Sequence, residues 1–211
     1  MTLIPLLNGI MSASVRAAED PIPLAAEAAA SVVPVKPKLF IARDFLFEYP
    51  RGWTLIEDLE GGDSMADRRR QNVVRGEVKS PDGTISVSVI QQQASKLKQT
   101  LFQITSISQL GTAEEVSKVI LPPGTKINQV SVRTFEVPSK NTGTVVGVID
   151  RDPIVIYRYS AQLQNGVRSE IAAGVILGRI LILGAGCPED KWDSSEPVLK
   201  AIADSFKLLP R

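Results

Sequence analysis

Residues 155–185 read VIYRYSAQLQNGVRSEIAAGVILGRILILGA. Val155, Tyr157, Tyr159, Ala161 and Leu163 alternate with Ile156, Arg158, Ser160 and Gln162, which is the period of a strand. Asn165-Gly166 then predicts a tight hairpin, because both residues tolerate φ > 0 in a type I′ turn. Val167, Ser169, Ile171, Ala173, Val175 and Leu177 return antiparallel, and Gly178-Arg179 turns the chain again. Residues 180–185 are apolar on both faces, which predicts a central strand covered from both sides.

The neighbours on either side fit such a sheet. Phe45, Phe47 and Tyr49 alternate with Leu46 and Glu48, a strand that stops at Pro50. Pro50-Arg51-Gly52-Trp53 is a turn that delivers an indole to the core. Residues 57–70 are polar and read as a loop. A strand over 73–78 meets the turn Pro81-Asp82-Gly83, and Ile85, Val87 and Val89 follow at strand spacing. Residues 91–110 mix Gln91, Gln92, Gln93, Lys96 and Lys98 with few apolar positions, which predicts a mobile loop with a weak strand near 101–104. Thr112-x-x-Glu115 is a capping box ahead of Val116, Val119 and Ile120, so a short helix starts there and ends at Pro122-Pro123-Gly124. Val130, Val132 and Phe135 mark another strand, and 144–149 a strand or loop edge. After Cys187-Pro188 a final helix is expected, capped by Asp193 or Ser194. Its apolar face carries Val198, Leu199, Ile202, Ala203 and Phe206. Trp53 and Trp192 precede apolar elements and read as core. The whole is α+β, an antiparallel β-sheet flanked by helices, and not a parallel nucleotide-binding sheet.

Composition narrows the function. With 211 residues and 44% hydrophobic content, the chain is long and apolar enough for one domain plus a tail. Twenty-four Lys and Arg against 23 Asp and Glu give a net charge of +1, which argues against a general nucleic-acid binder. No histidine is present, so there is no Ser-His-Asp triad, no Cys-His dyad and no His metal ligand. A single Cys allows no intramolecular disulfide, zinc ribbon or iron–sulfur cluster. The balance falls towards a binding or structural protein. Residues 1–38 read as a targeting remnant followed by a leader. Leu3, Ile4, Leu6, Leu7, Ile10 and Met11 form a short apolar run, and small residues follow at Ser12, Ala13, Ser14, Ala17 and Ala18. Pro21, Pro23, the Ala-rich stretch 25–30, Pro34 and Pro37 then predict a flexible Pro-Ala-rich segment up to about Leu39, with the folded domain over 39–211.

Few residues offer chemistry. Gly184-Ala185-Gly186 lacks the pattern of a phosphate loop and reads as small residues at a strand end. Cys187, next to Pro188, reads as a buried or inert thiol ahead of a redox thiol, since no histidine is present to lower its pKa. Glu57, Asp58, Glu60 and Asp63 supply closely spaced oxygen ligands around Gly61-Gly62, the donor type that calcium or manganese takes, but not at the spacing of a calcium-binding loop. Asp67-Arg68-Arg69-Arg70 contains the densest basic cluster. Arg68, Arg69 and Arg70 read either as a docking patch for an acidic protein surface or as a solvated strand edge. Lys36 and Lys38 add basic charge just before the domain.

Taken in order, these motifs resemble the PsbP family, the extrinsic oxygen-evolving-enhancer proteins of photosystem II and their lumenal relatives. Phe45-x-Phe47-x-Tyr49-Pro50-x-Gly52-Trp53 resembles the family's opening strand and Pro-x-x-Trp turn. The block from Ser86 to Ile90 is similar to its second-strand block, and the stretch from Leu110 to Val116 to its helix start. Tyr157-Arg158-Tyr159, the block from Gly178 to Leu183, and Trp192 through Phe206 follow in family order, so the resemblance spans about 40–209. It implies an α-β-α sandwich, a chloroplast thylakoid-lumen or cyanobacterial setting, and no catalytic activity. It implies a protein peripheral to the membrane that docks on photosystem II or another thylakoid complex, supporting oxygen evolution or photosystem assembly and repair. The docking residues expected are Lys36, Lys38, Arg68, Arg69 and Arg70. Family members are reported to bind calcium or manganese through sites that include histidine, and this chain has none to carry that over. Two other readings stand beside it: a calcium- or manganese-handling protein using Glu57, Asp58, Glu60 and Asp63, and an unrelated binding module of the same fold, of the Ran-binding import-factor type.

Overall fold

A strand that is apolar on both faces is stable only when paired on both edges and roofed on both sides. The computed structural model describes residues 36–56, 72–98, 103–141 and 147–210. Every one of them belongs to the second of two units into which the chain divides, residues 1–34 and 35–211. Along it run strands β1 (Lys38–Ile41), β2 (Phe45–Tyr49), β3 (Thr54–Ile56), β4 (Asn72–Lys79), β5 (Ser86–Gln93), β6 (Lys126–Phe135), β7 (Lys140–Asn141) and β8 (Val148–Ile149). They continue with β9 (Ile154–Gln162), β10 (Val167–Ile176), β11 (Arg179–Pro188) and β12 (Lys207–Leu208). The helices are α1 (Ala94–Leu97), α2 (Ala113–Ile120) and α3 (Trp192–Ser205).

Seven strands form one antiparallel sheet in the order β3-β4-β5-β11-β10-β9-β6, with the doubly apolar β11 in the middle. Alternation along β11 splits its side chains between two cores. Leu181, Leu183, Ala185 and Cys187 enter the core roofed by α3, beside Phe45, Phe47, Trp192, Leu199 and Phe206. Ile180 and Ile182 enter the core roofed by α2, beside Ile107, Val116, Tyr157 and Tyr159. The expected antiparallel α+β architecture is what the chain adopts.

The opening strand has a different partner from the one its pattern suggests. β2 does not join the large sheet but lies between β1 and β12 in a three-stranded sheet of its own. Phe40 of β1 stacks on Phe45 and Phe47, at ring centroid distances of 5.7 and 5.0 Å. The same ring rests on Gly76 of β4, where an added Cβ would stand 2.8 Å from its Cζ. Only glycine lets the two sheets approach this closely. The first described strand, β1, starts at Lys38.

Three local expectations are corrected. Residues 91–98 are not loop: β5 runs on to Gln93 because it pairs with β11 there, and α1 follows. Of the weak strand expected near 101–104, residues 103–104 form no strand and 101–102 lie outside the described residues, while a 3-10 turn occupies Ile107–Leu110. The final helix starts at Trp192, earlier than Asp193 or Ser194, and has no side-chain cap, because the buried indole anchors its first turn. The Asn165-Gly166 hairpin is not a two-residue type I′ turn. Leu163 pairs with Val167, the Gly166 N–H donates to the Leu163 carbonyl at 3.2 Å, and only Gly166 has a positive φ, of 74°. That is the three-residue loop with glycine at its left-handed position.

The two-residue turn lies one hairpin later. Ile176 pairs with Arg179 across Leu177-Gly178, whose φ values are 50° and 72°. Leu177 holds a left-handed backbone that costs a β-carbon roughly 1–2 kcal/mol, and its side chain is 53% exposed, so no burial offsets the strain. Leu177→Asn is therefore expected to stabilise the protein by about 1 kcal/mol. Urea unfolding checks this, and an unchanged or lower midpoint would overturn it.

Candidate functional site

Most of the site residues expected from the sequence fall outside the described part of the chain. Glu57, Asp58, Glu60, Asp63, Arg68, Arg69 and Arg70 lie outside the described residues. Lys36 and Lys38 are exposed where the described chain begins. Gly184-Ala185-Gly186 lies inside β11, its backbone paired to β5 and β10, and so cannot wrap a phosphate. Cys187 is buried, and burial pushes its thiol up; the Ser195 hydroxyl and Arg168 offset this only in part. A protonated, enclosed thiol is a poor nucleophile. Trp192 is core, with the Arg168 guanidinium 4.3 Å above its ring, and Trp53 is half-buried against the same core. Among the described residues no group of three or more acidic or Cys side chains could hold a metal, and no helix is long and apolar enough to cross a membrane.

Two arrangements stand out instead. The first is a surface. In the three-stranded sheet, alternation sends Phe40, Phe45 and Phe47 inward and leaves Leu39, Ile41, Leu46 and Glu48 on the outer face. Beside that face, a groove of about 470 Å³ opens between Tyr49-Pro50-Arg51 and Pro197, Val198 and Ala201 of α3. The Glu48 N–H donates to Ser205 Oγ at 2.8 Å and holds the end of α3 against β2, which sets the width of the groove.

The second is a polar cluster beneath α3. Arg158 of β9 pairs with Glu170 of β10 at 3.4 Å and with Asp204 of α3. Arg133 of β6 donates to the same Asp204 carboxylate at 2.9 Å and to its backbone carbonyl at 2.8 Å. A cavity of about 200 Å³ adjoins them, lined also by Gln129, Ser131 and Lys200. Glu170 is 3% exposed, and burial raises its carboxyl above the ordinary value of 4.5; the Ser160 hydroxyl and the Arg158 charge pull it back. Its Oε1 and the Nε of Arg158 are buried without a hydrogen-bond partner. The cluster bridges three strands and a helix and can fix the position of α3. The sequence held one sign of it: Arg158 and Glu170 are ionic residues inside strands whose other positions are nearly all apolar or small. Their meeting depends on the register that sets Glu170 opposite Ser160, one diagonal step from Arg158.

Comparison with known proteins gives a family and a fold. A family model described as PsbP matches residues 42–208. Among solved structures the chain is similar to cyanobacterial PsbP (CyanoP) from Synechocystis, determined in solution. That likeness has 15% identity and a TM-score of 0.50, and covers 89% of this chain and 99% of that one. No curated protein matches the sequence significantly.

Glu170 gives the cluster a pH signature. Because its folded value is raised, the carboxyl contributes stability that is full below the unfolded value and lost as pH rises through the folded one. Glu170→Gln removes that dependence, so relative to wild type it is expected to gain stability as the pH is taken from below the ordinary carboxyl value of 4.5 to neutrality. Arg158→Ala strands the buried carboxylate and is expected to cost about 3–5 kcal/mol at neutral pH. Urea unfolding at both ends of that range measures each, and a Glu170→Gln difference that does not change with pH would sink the assignment.

Proposed function

The chain belongs to the PsbP family, and from that premise we propose that it is an extrinsic protein of the thylakoid lumen that docks on photosystem II. It acts there through protein–protein contacts and not by catalysis, supporting oxygen evolution or the assembly and repair of the complex. The observation that carries this reading is the match over residues 42–208, which takes in every described strand except β1 and all three helices. The side-chain chemistry agrees with it. The chain has no histidine, and its one thiol is buried.

Contact is electrostatic in this reading. Lys36 and Lys38, together with Arg68, Arg69 and Arg70, meet acidic surfaces on the complex, and their charge steers the encounter. Such contacts weaken as salt shortens the Debye length from about 10 Å at 0.1 M to about 3 Å at 1 M. Purified protein is therefore expected to co-sediment with photosystem II membranes at low salt and to be released across that range. Reversing Lys36 and Lys38 to Glu is expected to slow association about threefold or more. A wild-type protein that stays in the supernatant at low salt would count decisively against the proposal.

A further inference from the structure

An amphipathic strand is apolar on one face because that face is covered. The outer face of β1 and β2 is apolar, yet no described residue covers it. Ile41 is 66% exposed and Leu39 48%, and Leu46 is half-buried between its neighbours. These side chains are contiguous. Ile41, Leu46 and Lys207 are successive cross-strand partners, and Leu39 is paired with Glu48 in the adjoining row. Glu48 also lines the groove beside α3, so sheet face and groove form one surface.

On the β1-β2-β12 side of this surface the charge is one-sided. Lys36, Lys38, Arg43, Arg51 and Lys207 are exposed on the segments that frame it, and none makes an ion pair with any described residue. Of the two carboxylates on the same segments, Asp44 is buried and faces Arg179 at 3.8 Å, which leaves Glu48 as the exposed one. Lys36, Arg43, Arg51 and Lys207, without an ion pair among the described residues, complement an anionic partner with an apolar anchor, while Lys38 shares the inward register of Phe40. The groove is concave, lined by prolines and Val198, and suits an inserted side chain. Glu48 at its edge argues against a lipid surface, where a carboxylate pressed to the interface is costly.

We propose that the outer face of the β1-β2-β12 sheet and the adjoining groove form the docking surface for an acidic protein segment, one apolar side chain of which fills the groove. The proposal rests on the docking function above and extends it, since it locates the contact on an aliphatic face and adds Arg51 and Lys207 as its flanking cations. A hydrophobic centre ringed by charges makes the contact only partly salt-sensitive, because burial of Leu39 and Ile41 is not screened.

Photocrosslinking on intact thylakoid membranes tests it. Benzoylphenylalanine replaces Ile41 in one preparation, Leu39 in a second, and Val132 of β6 in a third; all three positions are exposed enough for the chain to fold, and circular dichroism checks that it does. The expected result is a crosslink from positions 41 and 39 to an acidic peptide of a photosystem II subunit. Its yield should fall at least about fivefold when Arg51→Glu and Lys207→Glu are added, the size of a steering effect of two charges. The same charge-dependent crosslink to another thylakoid complex would uphold the surface and overturn photosystem II as the partner. Crosslinks to lipid, to a second copy of the chain, or no more than Val132 yields would overturn the surface, while salt-dependent co-sedimentation of the wild type would leave photosystem II docking standing.

Discussion

The structure turns on one constraint, the burial of β11 from both sides. Leu181 and Leu183 face one core and Ile180 and Ile182 the other, all nearly or fully buried. A strand of this kind needs hydrogen-bonded neighbours on both edges, since an open backbone edge in such surroundings would leave N–H and C=O groups unpaired. β5 and β10 supply them over eight and ten residue pairs. It also needs two roofs, and each layer outside the sheet can be understood as one of them.

The two roofs are fastened differently. Over one face, α2 is set by its own capping box and by two tyrosine hydroxyls: Tyr157 donates to the Gly111 carbonyl and Tyr159 to the Ala113 carbonyl, each at 2.9 Å. These bonds satisfy buried hydroxyls and pin the start of the helix to the sheet. Over the other face, α3 is held by apolar packing and by the Arg158-Glu170-Asp204 cluster. It is too narrow to cover that face alone, and β1, β2 and β12 complete the roof. A roof made of strands has an outer face, and Leu39 and Ile41 stay exposed on it. The proposed docking surface is thus a by-product of how β11 is buried.

Much of this was legible from residue order. The alternation at 45–49, 73–78 and 155–163, the Thr112-x-x-Glu115 box, the helical stripe ending at Phe206 and the doubly apolar run at 180–185 all form the elements they predict. Local periodicity is enough where one face must be buried. It fails where pairing decides. Gln91, Gln92 and Gln93 carry no strand signal of their own, yet they lie in β5 because Arg179, Ile180 and Leu181 lie beside them. Asn165-Gly166 forms its hairpin with a longer loop than the dipeptide suggests, while the two-residue turn falls on Leu177-Gly178, where leucine gives no hint of a left-handed backbone. The candidate site was the least legible part. Lys36 and Lys38 could be named from charge alone, but Ile41, Leu46 and Lys207 belong to three separate strands and become neighbours only through the register of β1, β2 and β12.

By itself, then, the sequence determined the fold class, the main strands with α2 and α3, the identity of the central strand and the exclusion of histidine chemistry, because each follows from composition or from spacing within one segment. Only the tertiary structure decided that β2 leaves the main sheet, that Phe40 closes on Gly76, and that Arg158 meets Glu170 and Asp204. It also decided which apolar side chains no other described residue covers. The physical reason is range. Hydrophobic period acts over a few residues, whereas the contact between Glu48 and Ser205 closes a separation of 157 residues. Which face of a strand is covered depends on what returns to it from that distance.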